Sequence, residues 1–439
     1  MTRLFKKIAV RTGLARLDPG VQKRLGGDYF YLRTYSSDVL SAPIKDLELL
    51  EALERAADVA KSQNHQTPTI GPIIDLSQGM PDLSNFFPLP AILQEATLRK
   101  EATVNLQKYP RAFGQPGTLS SVARKIAADT GVVYDPACEI LLCNGASQGL
   151  AHALECFVDP GGAVVLFDPC YLFYPWLAQT RGLRIRRVGG PKKSLAGRDQ
   201  DPNDRRLNQR ELERAMRGAK AIIINSPSNP DGSMIHIDDL KLIAALAARH
   251  NCIIISDEVY SGFCWSEKFT SIASITAARA RTIVISSVSK SHGLPGLRAG
   301  WCAGPAALIR PLAMLMSIRV PCVSAMVQEV LPDLIESESG FAPARHNQFL
   351  ARRDSALAQA EANGFKAEAP DGAFYLWSKV PRGFSSGYEF ARWCLERRSV
   401  VVMPGEPFGP SGKGMFRYSW GGLQESFTTA MQRIQAVEP

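Results

Sequence analysis

Thr282-Ile283-Val284-Ile285-Ser286-Ser287-Val288-Ser289-Lys290-Ser291-His292-Gly293-Leu294-Pro295-Gly296-Leu297-Arg298-Ala299-Gly300-Trp301 is the stretch on which the reading of this chain turns. Its first four residues are a short β-branched run of the kind a buried parallel strand needs. The run ends in a hydroxyl-rich turn that delivers one lysine, Lys290, and then one arginine, Arg298. A lysine whose amine is tuned by its surroundings can form a Schiff base with an aldehyde cofactor. Ser287, Ser289 and Arg298 beside it suit a phosphate, the arginine through bidentate hydrogen bonds. A lone Ser-x-Ser-Lys is ordinarily a solvated loop, so the flanking chain has to decide.

Outward from this stretch the same pattern recurs. Ala163–Phe167, Ala221–Ile224 and Ile253–Ile255 are further apolar runs, and helical periodicity lies between them, as in Leu240–His250. This predicts an α/β domain around a mostly parallel sheet. Polar residues collect just past the runs: Asp168 and Tyr171, Asn225 and Asn229, Asp257 and Tyr260, Ser287 to Lys290. Ligands of open α/β sheets bind at that edge. Each of these residues alone serves equally as a cap or turn former; four groups in series are more than punctuation. Upstream, Leu141-Leu142-Cys143-Asn144-Gly145-Ala146-Ser147-Gln148-Gly149 puts small residues at a strand-to-helix turn. Exposed N–H groups there favour a phosphate. The glycines match neither a Walker loop nor Gly-x-Gly-x-x-Gly, which counts against nucleoside triphosphates and dinucleotides.

Toward the ends the chain is less regular. Asp75-Leu76-Ser77-Gln78-Gly79-Met80-Pro81 reads as an extended piece entering a tight turn, with Gly79 either a turn glycine or a point of close ligand approach. Tyr109 opens a loop before a helix over Thr118–Asp129. Past Pro305 a helix over Ala306–Ile318 leads into an α+β remainder: a helix near Phe349–Asn363, a strand over Ala373–Trp377, a helix near Tyr388–Arg397, and Met415–Trp420. Arg417 alternates with aromatics in that last strand, as a paired structural arginine or as a carboxylate clamp. Residues 43–60 show amphipathic helical spacing, 61–71 read as a linker, and 1–17 hold five basic residues and no acidic one. This start reads as an N-terminal arm, although a transit peptide has the same look.

The length of 439 residues suits two packed domains, and 45% hydrophobic with 21% charged residues describes a soluble globular protein. No apolar run is long enough to span a membrane. Nine scattered cysteines without a Cys-x-x-Cys pair read as reduced thiols in a cytoplasmic protein. The six histidines show no ligand spacing, so no metal site is expected. Net charge is 51 − 42 = +9, which suits anionic ligands as well as nucleic acid. The densest basic run, Arg181 to Arg198, has no interleaved aromatics, so it reads as a solvated edge and loop rather than a nucleic-acid site.

Taken in order, these motifs resemble the class I/II aminotransferases, pyridoxal-phosphate (PLP) enzymes of fold type I and of the aspartate aminotransferase kind, over roughly residues 74–425. The resemblance implies a large PLP-binding domain over 71–320 with a mostly parallel seven-stranded sheet, a small α+β domain over 321–439, and 1–70 as an extension joining the small domain. It implies Lys290 as the Schiff-base lysine, with Ala146, Ser147, Ser287, Ser289 and Arg298 on the cofactor phosphate. Tyr171 would stack on the pyridine ring, Asn229 and Tyr260 would bind its hydroxyl, and Asp257 would face its nitrogen. Arg417, with Gly79 and Asn229, would hold the substrate, and Tyr109 would reach the phosphate of a neighbouring subunit in a homodimer. The implied activity moves an amino group between an amino acid and a 2-oxo acid, with Lys290, Asp257 and Tyr260 carrying the catalysis.

Two other functions fit parts of the pattern. The Gly-Leu-Pro-Gly run at 293–296 also occurs in aminocyclopropane-carboxylate synthases, so elimination, replacement or cyclisation on the same fold stays open. A transcription regulator with an aminotransferase-like domain would need a helix-turn-helix module ahead of it, and the first 70 residues contain one helical pattern.

Overall fold

The computed structural model describes residues 72–84, 86, 94, 108–191 and 206–434. The N-terminal arm, the helix expected over 43–60, the 61–71 linker and the basic run beyond Pro191 lie outside the described residues. Strand β1 (Ile74–Asp75) comes first, then helix α1 (Pro116–Thr130). An alternation follows: β2 (Ile140–Cys143), α2 (Ala146–Phe157), β3 (Ala163–Asp168), α3 (Phe173–Thr180), β4 (Arg184–Gly189), α4 (Gln209–Met216), β5 (Ala221–Asn225) and α5 (Ile237–Arg249). It continues through β6 (Ile253–Asp257), α6 (Thr276–Arg279), β7 (Thr282–Ser287), the single turn α7 (Val288–Ser291) and β8 (Gly300–Ala303). Helices α8 (Ala306–Arg319) and α9 (Ala325–Ala362) lead to β9 (Tyr375–Lys379), α10 (Gly387–Arg398), β10 (Val400–Val401), β11 (Met403–Pro404), β12 (Met415–Ser419) and α11 (Gln424–Ile434).

Seven strands form one sheet in the order β2-β8-β7-β6-β5-β3-β4. Strands β3 to β7 pair in parallel, and β8 lies antiparallel between β7 and β2. Both faces are covered, which is why the strands read as continuous apolar runs. In β3, Val164 and Leu166 enter a core with Leu150, Leu154 and Ile309. Their neighbours Val165 and Phe167 enter the opposite core with Leu240 and Ile243. Each such side chain, fully buried, stabilises the fold by about 1.5–3 kcal/mol.

Two strands were hidden in the sequence by their chemistry. The run read as a solvated edge and loop contains β4, with Arg184 exposed and only Val188 fully buried. It is the outermost strand of the sheet, where charge discourages pairing with another chain. Strand β8 starts at Gly300, where a Cβ would lie 2.8 Å from the Ser286 carbonyl oxygen and 2.9 Å from the Ala146 nitrogen. A glycine there lets the lysine-bearing strand and the start of α2 meet across β8.

From β3 the chain moves outward to β4 and then returns across it to β5. Neighbours that diverge in this way open a crevice at their carboxyl ends. A second sheet, β11-β12-β9, is antiparallel, and β1 pairs in parallel with β10, Ile74 opposite Val400. Phe349, Phe374, Phe390, Phe416 and Trp420 fill the core under it. The helix expected near Phe349–Asn363 begins much earlier, at Ala325, and runs 38 residues through Pro332 and Pro343. Among the described residues no helix is long and apolar enough to cross a membrane.

Candidate active site

Strand β7 stops where Ser287 turns out of the sheet and caps α7, its hydroxyl oxygen accepting from the Ser289 backbone N–H at 3.4 Å. The turn carries Lys290 over the strand ends, and its Nζ donates to the Gly79 carbonyl oxygen at 2.6 Å. Burial lowers the lysine pKa to about 8; Arg417 and Arg298 push the same way, and Asp257 opposes them. The amine is therefore partly unprotonated near neutral pH, which an ordinary surface lysine is not.

Asp257 closes β6 opposite Asn225 of β5. Its carboxylate accepts from the Tyr174 hydroxyl at 2.6 Å and from the Val259 N–H at 3.4 Å. Burial raises its pKa to about 6 against those hydrogen bonds and the nearby Lys290. At neutral pH it is a buried carboxylate. Asn225 ties the two strand ends together, donating to the Asp257 carbonyl oxygen at 3.0 Å and accepting from the Asn229 N–H at 2.9 Å.

From the second sheet, β12 sends Arg417 into the same space. Its Nη1 donates to Asn229 Oδ1 at 2.7 Å, Nη2 donates to the Ser77 carbonyl oxygen, and Nε is buried without a partner. The guanidinium lies between the rings of Tyr375, 4.3 Å away, and Phe408, 5.1 Å away. Tyr260 reaches Tyr375 hydroxyl to hydroxyl at 2.7 Å, and burial raises its pKa far above the usual range.

At the other end of the site, α2 begins at Gly145 (φ 78°), and no side chain caps it. Ala146 and Ser147 form its first turn. Arg298, itself left-handed at φ 53°, donates to the carbonyl oxygens of Asn144 at 3.1 Å and Pro295 at 2.9 Å. A Cβ on Gly145 would stand 2.8 Å from the Arg298 Cζ, so only glycine leaves this guanidinium beside the helix start. Tyr171, between β3 and α3, meets Tyr174 edge-on at 5.4 Å.

Hydrogen bonds thus link Lys290 with Gly79, Asn229 with Arg417, and the ends of β5 and β6 with each other. Ser289 is buried in the lysine turn, and Arg298 faces the α2 start. Tyr109 stands apart on the surface before α1, 85% exposed. Asp168 turns elsewhere, accepting from the Ser411 N–H and hydroxyl. Three residues escaped the sequence reading: Ser77, Tyr174 and Tyr375. Tyr174 had a signal, since it follows Tyr171 by one helical turn. Ser77 acts through its backbone, and Tyr375 sits in a strand with no spacing to mark it. Among the described residues no cluster of His, Cys, Asp or Glu is arranged to hold a metal ion.

The profile of the family described as aminotransferase class I and II matches residues 71–434. The chain is similar to a putative aminotransferase, YugH, of Bacillus subtilis, at 28% identity over 84% of this chain and 92% of that one. It is also similar to the aspartate aminotransferase of Pyrococcus abyssi, at 30% identity over 83% and 91%. Among solved structures, the N-succinyldiaminopimelate aminotransferase of Mycobacterium tuberculosis superposes with a TM-score of 0.77 at 26% identity, covering 87% of this chain and 96% of that one. With a parallel sheet whose strand ends gather a buried lysine, carboxylate and arginine, and with this match over most of its length, the chain belongs to the class I and II aminotransferase family.

Proposed function

We propose that Lys290 is the residue that carries PLP, the cofactor this family uses to move an amino group between an amino acid and a 2-oxo acid. The observation behind the reading is one buried amine held near a buried carboxylate and a buried guanidinium at the strand ends. The uncapped start of α2 and the cradle kept open by Gly145 fit a phosphate. When bound, the cofactor supplies an electron sink for charge that develops on the substrate α-carbon.

The residues divide the rest of the work. Ala146, Ser147, Ser287, Ser289 and Arg298 would hold the phosphate, and Tyr171 would pack against the ring. Asp257, ionised at neutral pH, would support a protonated ring nitrogen, while Asn229 and Tyr260 would bind the ring hydroxyl. Arg417 binds the substrate carboxylate, exchanging the Ser77 carbonyl for it near Gly79. The Lys290 amine moves the α-proton, a role typically worth about 10²–10⁴ in rate. The exposed Tyr109 suits a contact with a second copy, so the working form is a homodimer with shared sites, built on domains 71–320 and 321–439 and acting in the cytoplasm.

Borohydride reduction of the PLP-loaded protein, followed by peptide mapping, tests this: the label belongs on Lys290. Mixed with amino acids in a single turnover, the protein should release a 2-oxo acid and keep the amino group on the cofactor. A Lys290→Ala protein that still forms a reducible adduct overturns the assignment. Loss of a β- or γ-substituent with no amine left behind points to lyase chemistry instead.

A further inference from the structure

Tyr375 touches three parts of the site and has no role among those assigned above. Its side chain, on β9, is 1% exposed. The ring lies 4.3 Å from the Arg417 guanidinium, and the hydroxyl is 2.7 Å from that of Tyr260. The two tyrosine rings stand edge to face, centroids 5.8 Å apart. A third contact explains a glycine. A Cβ on Gly79 would stand 2.7 Å from the Tyr375 Cζ and overlap its hydroxyl, so the segment that accepts the Lys290 amine passes there only as glycine. A residue needed only to fill the core of the second sheet has no use for a hydroxyl, and this one meets the hydroxyl of Tyr260.

Resting on the reading of the site given above, we propose that Tyr375 is a positioning residue that couples the substrate-carboxylate arginine to the cofactor-side tyrosine. Its ring fixes the guanidinium plane of Arg417, and its hydroxyl sets the direction of the Tyr260 proton. Tyr260 has one proton to donate. With that proton on the cofactor's ring hydroxyl, Tyr375 donates into the Tyr260 oxygen. Such a donor makes Tyr260 the stronger donor in turn, since hydrogen bonds in a chain polarise one another. A stronger bond to the ring oxygen favours its anionic form and lowers the pH at which the bound cofactor takes up a proton.

The other charged and titratable groups facing this point are Asp257 from β6, Lys290 from α7, Arg417 from β12, Arg298 from the turn before β8, and Tyr171 before α3. Tyr375→Phe leaves all of them in place and keeps the ring beneath Arg417. Its predicted signature is a rise of about 0.5–1 pH unit in the midpoint of the bound cofactor's absorbance titration. Amino-acid affinity, read by equilibrium spectral titration, should change less than about twofold. Tyr375→Leu removes the ring as well, and affinity should weaken by about 3- to 30-fold, the range of a desolvated cation–π contact.

Wild-type values of both midpoint and affinity in the two variants, with only the melting temperature lowered, would reduce Tyr375 to core packing and overturn the proposal. Should Tyr375→Leu fail to fold, the midpoint of Tyr375→Phe still decides. A wild-type protein with no reducible adduct on Lys290 overturns the site reading itself, independently of either variant.

Discussion

At the scale of single residues, the acidity of Asp257 is a balance between burial and its donors. Burial pushes its pKa up, and the Tyr174 hydroxyl at 2.6 Å is the first force that opposes it and keeps it at about 6. Removing that donor with Tyr174→Phe should raise the pKa of Asp257 further, so the carboxylate protonates within the neutral range. The acid limb of the kcat profile is then expected about 1–2 pH units higher, the size of a hydrogen bond to a charged group. An unmoved limb would mean that Asp257 does not govern it. Arg417 has a different dependence, because two hydrogen bonds leave its fork in different directions. Arg417→Lys keeps the charge and loses the fork, so substrate KM should rise at least tenfold while the resting absorbance of bound cofactor stays put. A change confined to melting temperature would make the arginine structural.

Elements differ in how plainly the sequence announces them. The buried strands β3, β5, β6 and β7 were legible because both faces of each are apolar. Polar residues mark where those runs stop, but Asp168 among them turns to Ser411, and the roles of the others came from the family resemblance. Helix α9 was half hidden. Its buried stripe advances by three or four residues from Gln328 through Leu331, Ile335, Glu338, Phe341, Arg345, Phe349, Arg352 and Ala356. Several of those positions are polar, so the apolar period shows only near the end. The polar ones are held: Gln328 accepts from the Gln115 N–H at 2.7 Å, and Glu338 pairs with Arg345 at 2.9 Å. Tertiary partners, invisible in a single sequence, turned them into core residues. Short turns are equally opaque until the neighbour is known, as at Gly145. Gly145→Ala forces a side chain into φ 78° and against Arg298. PLP affinity should fall by at least tenfold, measured by equilibrium binding to the apoprotein, with the fold retained.

On the scale of the whole molecule, a buried charge cluster backs the lysine turn. Glu338 receives Lys125 at 2.5 Å and Arg345 at 2.9 Å, with His292 Nε2 at 3.7 Å, and Arg345 also donates to the Ser291 carbonyl oxygen at 2.7 Å. Burial would raise the Glu338 pKa, but Lys125, His292 and Arg345 overcome it and bring it to about 2. Burial lowers His292 to about 4, against the pull of Glu338. Both folded pKa values lie below their unfolded ones, so the unfolded chain binds more protons in acid. Stability is therefore lost as pH falls from 6.5 to 4 through His292 and from 4.5 to 2 through Glu338. Urea unfolding across that range should show the decline. Glu338→Gln should lower stability at pH 7 by about 3–5 kcal/mol and flatten the slope below pH 4.5. Assembly is testable at the same scale. Mixing Tyr109→Phe and Lys290→Ala subunits should give activity that depends on which subunit supplies which residue, whereas a fully active monomer would refute shared sites.

The pairing of β1 with β10 also fixes when the site comes into being during synthesis. Ser77 leaves the ribosome early, and its partner Arg417 follows 340 residues later. The large sheet is complete once β8 has emerged, yet β1, the strand that leads into the segment whose Gly79 carbonyl receives Lys290, has no partner until Val400 and Val401 are made. Contacts that close so large a loop form late. A nascent chain released before Met415 would therefore present the strand ends and the phosphate cradle without the arginine, and only the last stretch to be translated completes the site.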